Sequence, residues 1–244
     1  MSALVRAELL SLRSLRSTYI IAAALLLLTA GITIADLSEI GKPTMDSAAE
    51  LREPMAASGG IVAAVFLAVM AAVRLGGEYR YETITQRLLA SPVRRRLLYA
   101  RIATYAALGA VISAVVLGAC AAITAPMVDA KHLSLGLSSA DGLRLAGEVM
   151  LSGALLSVLG VAIGLLTRSQ TAAVLTLAGV FVGERILTGL LGDVAHWLPT
   201  SLMDSLIEDQ GAALDPGPAA IGLTALVAAV SVAAAVALRR RDVT

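Results

Sequence analysis

Cysteine occurs once in the 244 residues, at Cys120 inside an apolar run, which excludes an internal disulfide framework. Histidine occurs twice, as His132 and His196, and two imidazoles do not build a metal cluster by themselves. Aromatic side chains make up 3% of the chain, too few for the stacking platforms that bind bases. Nucleic acid is therefore not an expected partner. Charged residues reach only 15%, where soluble domains carry about 25%. Against these shortages stand 58% hydrophobic residues and a mean hydropathy of +0.84. The balance is that of a membrane protein.

Catalytic signatures are missing as well. There is no G-x-x-x-x-G-K-[ST] phosphate loop, so this chain does not bind ATP by that device. Leu151-Ser152-Gly153 matches the start of the signature loop of transporter ATPases, but it lies within an apolar run and lacks the second glycine. Neither a Gly-x-Ser-x-Gly elbow nor a His-Glu-x-x-His helix is present. The chain reads as a non-enzyme, with no catalytic, cofactor-binding or metal-binding residues of its own.

What is present is a series of long apolar runs. They predict an all-α fold, one transmembrane domain over 1–244, with spans at 18–36, 56–75, 102–126, 148–167, 170–188 and 218–238. Residues 1–17 read as an amphipathic interfacial helix, with Leu4, Val5, Leu12 and Leu15 on one side and Arg6 and Arg13 on the other. A plain basic flank and a signal peptide are the alternatives there; the length of the first run favours an uncleaved span. Pro126 marks the expected end of the third span, and 129–148 reads as a polar loop with Lys131, Asp141 and Arg144. Only Arg168-Ser169-Gln170 separates spans four and five, which predicts a tight helical hairpin. Gly160-x-x-x-Gly164 and Gly179-x-x-x-Gly183 then fit close packing within that hairpin, or a dimer seam. Residues 186–204 are interrupted by Gly189, Gly192, Asp193 and Pro199, and read as a re-entrant or interfacial pair of short helices. Asp204 opens an acidic loop that runs to Pro218.

Charge placement sets the expected topology. Of the 19 Lys and Arg, 14 fall on one side of the alternating spans; Lys42, Arg52, Lys131, Arg144 and Arg185 fall on the other. The positive-inside rule puts both termini in the cytoplasm of a multi-pass cell-membrane protein.

Two polar elements stand out from this scaffold. Residues 77–101, GEYRYETITQRLLASPVRRRLLYAR, carry six arginines between two apolar runs. Residues 78–90 are rich in helix formers, with Glu78 and Glu82 in an expected first turn, where the dipole favours acid. Ser91 before Pro92 is pushed out of helical geometry, and 93–101 begins a second helix that runs into the third span. A basic stop-transfer loop is the bland alternative, but orientation needs fewer charges than this. The second element is Glu184-Arg185, sixteen residues beyond Arg168, or roughly 24 Å of helix against a core about 30 Å thick. Charges at that depth face protein or water and mark a pathway, which makes the pair outer-gate candidates; the alternative is a helix already emerged into water.

At 77–101 the chain resembles permeases of the ATP-binding-cassette type 2 family, membrane subunits of a class of exporters. The resemblance is carried by Gly77-Glu78-Tyr79-Arg80, Thr83-Ile84, Leu88-Leu89-Ala90-Ser91-Pro92, Arg94 and Arg101. These follow the family pattern E-Y-R-x-G-T-I-x-x-x-L-L-A-x-P-x-R, with Glu82 standing where glycine is common. The resemblance implies a coupling helix over 77–100 that docks on a separate cytoplasmic ATPase, two copies of which would join a homodimer of this chain in the lipid bilayer. ATP and Mg would then belong to the partner. It also implies that Glu78, Tyr79, Arg80, Tyr81, Glu82, Thr83, Ile84, Arg87 and Leu88 carry the coupling. Cargo is not legible, although an amphiphile suits Leu- and Ala-rich walls. A secondary transporter or channel, which usually needs paired ionisable residues in its spans, and a non-transporting membrane anchor for a cytoplasmic partner are the alternative readings.

Overall fold

In lipid a spanning segment must satisfy its own backbone polar groups, and runs like these do so as helices. The computed structural model describes residues 16–39, 57–80, 94–130, 139–207 and 214–240. Among the described residues there are seven α-helices and no strand: α1 (Arg16–Glu39), α2 (Ala63–Arg80), α3 (Arg94–Ala130), α4 (Ser139–Thr167), α5 (Gln170–Leu191), α6 (Pro199–Ile207) and α7 (Pro216–Arg240). A π-helical turn, Ala57–Val62, leads into α2, and a 3-10 segment, Gly192–Trp197, joins α5 to α6.

Five of the described helices are long and apolar enough to cross a membrane, over Gly60–Tyr79, Leu98–Pro126, Ala140–Thr167, Gln170–Leu187 and Pro216–Leu238. The apolar part of α1, Ala22–Ala35, is shorter. This is a membrane-embedded helical protein, with five such helices where the sequence predicts six spans. The interfacial helix expected at 1–17 lies almost wholly outside the described residues.

Several expected boundaries move. Residues 139–148, expected in a polar loop, form the start of α4. Asp141 sits in that first turn, where the helix dipole favours it, and Arg144 pairs with Glu148 at 2.8 Å one turn on. Asp204 lies within α6 rather than in a loop, and Pro216 and Pro218 sit in the first turn of α7, where a missing N–H costs nothing. Pro126 is inside α3, which continues to Ala130, although the apolar window does end at Pro126. Glu78, Tyr79 and Arg80 continue α2 without a break instead of opening a new helix. The N-terminal dipole therefore does nothing for Glu78, and another group must compensate its charge.

Helix α4 is the centre of the bundle, touching α2, α3, α5, α6 and α7. Its small residues explain how. A Cβ on Gly160 would lie 2.0 Å from the Ala68 carbonyl oxygen, and one on Gly164 would lie 2.8 Å from Leu75 Cβ. On another face, a Cβ on Gly153 would fall 1.9 Å from Ser113 Oγ. The Gly160/Gly164 pair therefore seats α4 on α2, not on its hairpin partner α5. Gly179 and Gly183 of α5 have nothing within 4 Å of where a Cβ would go. Hairpin packing by glycine is thus corrected: the close approaches belong to α2–α4 and α3–α4. Leu151-Ser152-Gly153 is part of this packing, with Ser152 Oγ donating to the Val149 carbonyl at 2.9 Å.

Helix α1 joins at the margin, where Leu25 packs with Ala63, Val116 and Cys120. Its Thr29 and Thr33 hydroxyls donate to the carbonyls of Leu25 and Thr29, at 2.9 and 2.8 Å, so neither is orphaned among apolar neighbours. Leu175, Val182, Ile186 and Ile221 are exposed on α5 and α7, as befits a surface whose solvent is hydrocarbon.

The antiparallel order sorts charge. Gly60 of the π turn lies against Ile207, while Gly76 lies against Gln170, so α2 runs from the end holding α6 to the end holding the α4–α5 turn. At the second end lie ten of the described arginines, and at the first only Arg144 and Arg185.

Candidate functional site: two polar joints at opposite ends

At the arginine-rich end, the two helices that flank the excursion are tied together. Glu78 of α2 accepts a charge-assisted hydrogen bond from the Arg101 guanidinium of α3. Arg101 is 2% exposed and Glu78 13%. A full guanidinium is tolerated at such burial only when it is paired, and here it supplies the compensation Glu78 lacks from its own helix. The pair spans the base of residues 81–93.

The same end of α2 is locked to the α4–α5 turn. Arg168 closes α4 with φ +52°, a left-handed conformation that a non-glycine residue rarely takes, and its N–H donates to the Gly164 carbonyl at 3.2 Å. That turn brings its guanidinium to 5.6 Å from the Tyr79 ring centroid, within cation–π range. Ser169, in extended geometry, caps α5 by accepting from the Ala172 N–H at 3.4 Å. A Cβ on Gly76 would lie 2.6 Å from Gln170 Cα, so the backbones of α2 and α5 touch where only glycine fits. α2, α3 and the α4–α5 turn thus form one joint. Of the residues expected to carry coupling, Glu78 and Tyr79 are part of it, and Arg80 ends the described α2. Tyr81, Glu82, Thr83, Ile84, Arg87 and Leu88 lie outside the described residues, as do the expected helix after Arg80 and the turn at Pro92.

The second joint is at the opposite end, between α5 and α6. Leu198 stands at the N-cap of α6, where its side chain offers no acceptor, and Pro199 supplies no N–H. Glu184 takes the cap's place from α5: its Oε2 accepts from Thr200 N–H at 2.9 Å and its Oε1 from Ser201 N–H at 2.8 Å. The carboxylate is 3% exposed, so it is directed into protein and not out to water. Arg185 is 62% exposed, and its Nη2 lies 3.1 Å from Asp204 Oδ2 on α6. Burial pushes the Asp204 carboxyl above its ordinary range; Arg185 opposes this and Glu184 adds to it.

Glu184 and Arg185 therefore come together with Thr200 and Ser201, which sequence reasoning did not single out, and with Asp204, which it named only as the start of a loop. Leucine at the cap followed by proline was the available signal, since a helix start lacking its own acceptor borrows one. Arg168 was read only as a hairpin turn, because nothing in the sequence tells which ring its guanidinium reaches. Among the described residues, no three His, Cys, Asp or Glu side chains gather as metal ligands. Compared with protein-family models and with curated proteins, the chain matches none.

Proposed function

We propose that this chain is the membrane-spanning permease subunit of an ATP-binding-cassette exporter, moving cargo with ATP hydrolysed by a separate cytoplasmic subunit. α1 counts as the sixth span in this reading, and the arginine-rich end faces the cytoplasm by the positive-inside rule. The observation that best supports the reading is the Glu78–Arg101 pair at the base of the basic excursion. A loop needed only for orientation has no use for a buried ion pair that joins its two supporting helices. A segment that receives a push does, because its displacement must reach the spans without being absorbed in its own hinges. Tyr79 and Arg168 extend that connection to α4 and α5.

In this reading the coupling region, 77–100, docks on the ATPase, and closure of two ATPases moves the α2–α3 base of each of two permease copies. The spans then alternate between two arrangements that bind cargo differently, since only differential binding can drive transport. Glu184 and Arg185 hold α6 against α5 and would serve as the outer gate. Co-purification from native membranes tests the class. Recovery of a nucleotide-hydrolysing subunit, with ATP-dependent export in inverted vesicles, is the expected result. An isolated chain passing solute without ATP would replace this reading with the channel, and a bound partner without export would replace it with the anchor.

A further inference from the structure

We infer that Arg168 and Tyr79 form a binding site for a phosphate group at the α4–α5 turn, with Arg168 Nη2 and Tyr79 Oη as its donors. Both atoms are buried without a hydrogen-bond partner. They belong to one cluster, because the Arg168 guanidinium stands 5.6 Å from the centroid of the Tyr79 ring. The tyrosine hydroxyl is able to accept from a guanidinium, yet the two are not bonded to each other. What both lack is an outside acceptor, and buried donors left without one are costly.

No neighbour supplies it. The charges that bear on the Tyr79 hydroxyl are those of Arg168, Arg101 and Glu78. Glu78, the one carboxylate of the three, is turned to Arg101 across the base of α2 and α3. Among the described residues Arg168 forms no ion pair. Its backbone does not explain its identity either, since φ +52° suits glycine or asparagine better than arginine. An arginine at a strained turn position points to a use for its side chain.

Depth names the ligand. Three apolar windows meet at this spot: Gly60–Tyr79 and Ala140–Thr167 close here, and Gln170–Leu187 opens. That is the level of the lipid headgroups, where the abundant anionic group is a phosphate. A phosphate carries several acceptor oxygens and matches the planar fork of a guanidinium, so one group serves both donors. Arg168 and Tyr79 are only partly buried as whole residues. Rotation of the long Arg168 side chain at the turn therefore admits the group without parting the helices. Once bound, it adds an ionic bridge to the cation–π contact between the α4–α5 turn and α2. The site requires neither an ATPase nor the orientation proposed above.

The test titrates phosphatidylglycerol, or inorganic phosphate, into the full chain in a neutral, phosphate-free detergent and reads the melting temperature. No ATPase is present, so the outcome is separate from that of the permease assay. Wild type should gain stability saturably with phosphatidylglycerol. Arg168→Gln leaves the turn its backbone cost, and Tyr79→Phe keeps the ring. Each should raise the half-saturating concentration about tenfold, the worth of one hydrogen bond to a charged group. Arg240→Gln, at the same end of the bundle on α7, should hardly change it. The same mutational losses against inorganic phosphate alone would support the site and assign it to a free phosphate instead of a lipid. No saturable gain with either ligand, or losses no larger than that of Arg240→Gln, overturns the proposal. Should Arg168→Gln fail to fold, Tyr79→Phe decides: an unchanged half-saturating concentration overturns the site.

Discussion

Glu78 and Arg101 show why single residues matter here. Each sits where an unpaired charge would be expensive, so the pair is worth less as a net gain than as a thing costly to break. Arg101→Ala should destabilise the protein by about 3–5 kcal/mol, whereas Glu78→Gln, which keeps an acceptor, should cost less. Chemical unfolding in mild detergent measures the difference, and equal losses would deny the pair its charge. Asp204 gives a second prediction at this scale. Its folded-state carboxyl lies above the ordinary 3.8, so over the window between the two the folded protein binds the proton and the unfolded chain does not. Stability should therefore rise as pH falls through the folded value and level off below the unfolded one. Asp204→Asn should remove that slope from the melting temperature. The two residues also mark what was legible. Glu78 and Arg101 both stand in the motif, but their partnership needed α2 to continue past Gly77, and good helix formers after Glu78 argued locally for a fresh start. Local propensity cannot see a compensating charge twenty-three residues away. Thr200 and Ser201 went unnoticed for a plainer reason: their N–H groups meet Glu184 only once α6 is folded against α5.

Elements were easier to read than their contacts. The apolar runs announced every long helix from α2 to α7, because length and hydropathy decide that in lipid. The hairpin at Arg168-Ser169-Gln170 and the broken segment between α5 and α7 followed from charge and from glycine and proline. Pairing was not legible: a glycine spacing names a close approach without naming the neighbour, and Gly160 and Gly164 met α2 instead of α5. Gly160→Leu should accordingly force α2 off α4, costing about 1–3 kcal/mol by overpacking. Gly179→Leu, on the open side of α5, should cost far less in the same thermal unfolding assay. Comparable losses at both would mean that α5 also has a close partner in the membrane. Glu184→Ala removes the acceptor that caps α6 and should cost about 1–2 kcal/mol. If the chain is the permease proposed above, export should fall while assembly with an ATPase persists, and normal export from the variant would remove Glu184 from the proposed gate.

At the scale of the whole molecule the account is one of transmission between two ends. Arginines concentrate at one end, where α2, α3 and the α4–α5 turn are joined; α6 is held at the other by Glu184 and Arg185. α4, packed by glycine against α2 and α3, is the rigid member between them. Orientation is checked by labelling: a cysteine at Ser47 should react with an impermeant reagent outside intact cells and one at Gln86 should not, against the low background of buried Cys120. The central proposal, that 77–100 is the region on which an ATPase pushes, has a sharper test. Tyr81, Ile84, Leu88 and Leu89 fall within helical reach of one another in the sequence. Ile84→Asp would place an unpaired carboxylate in such a joint, at a cost of several kcal/mol. In reconstituted vesicles, Ile84→Asp should abolish export and cargo-stimulated ATP hydrolysis while the permease still inserts and dimerises. Arg96→Ala, beyond Pro92 in the sequence, should leave both near normal. An Ile84→Asp permease that still binds its ATPase and stimulates it fully would contradict the account.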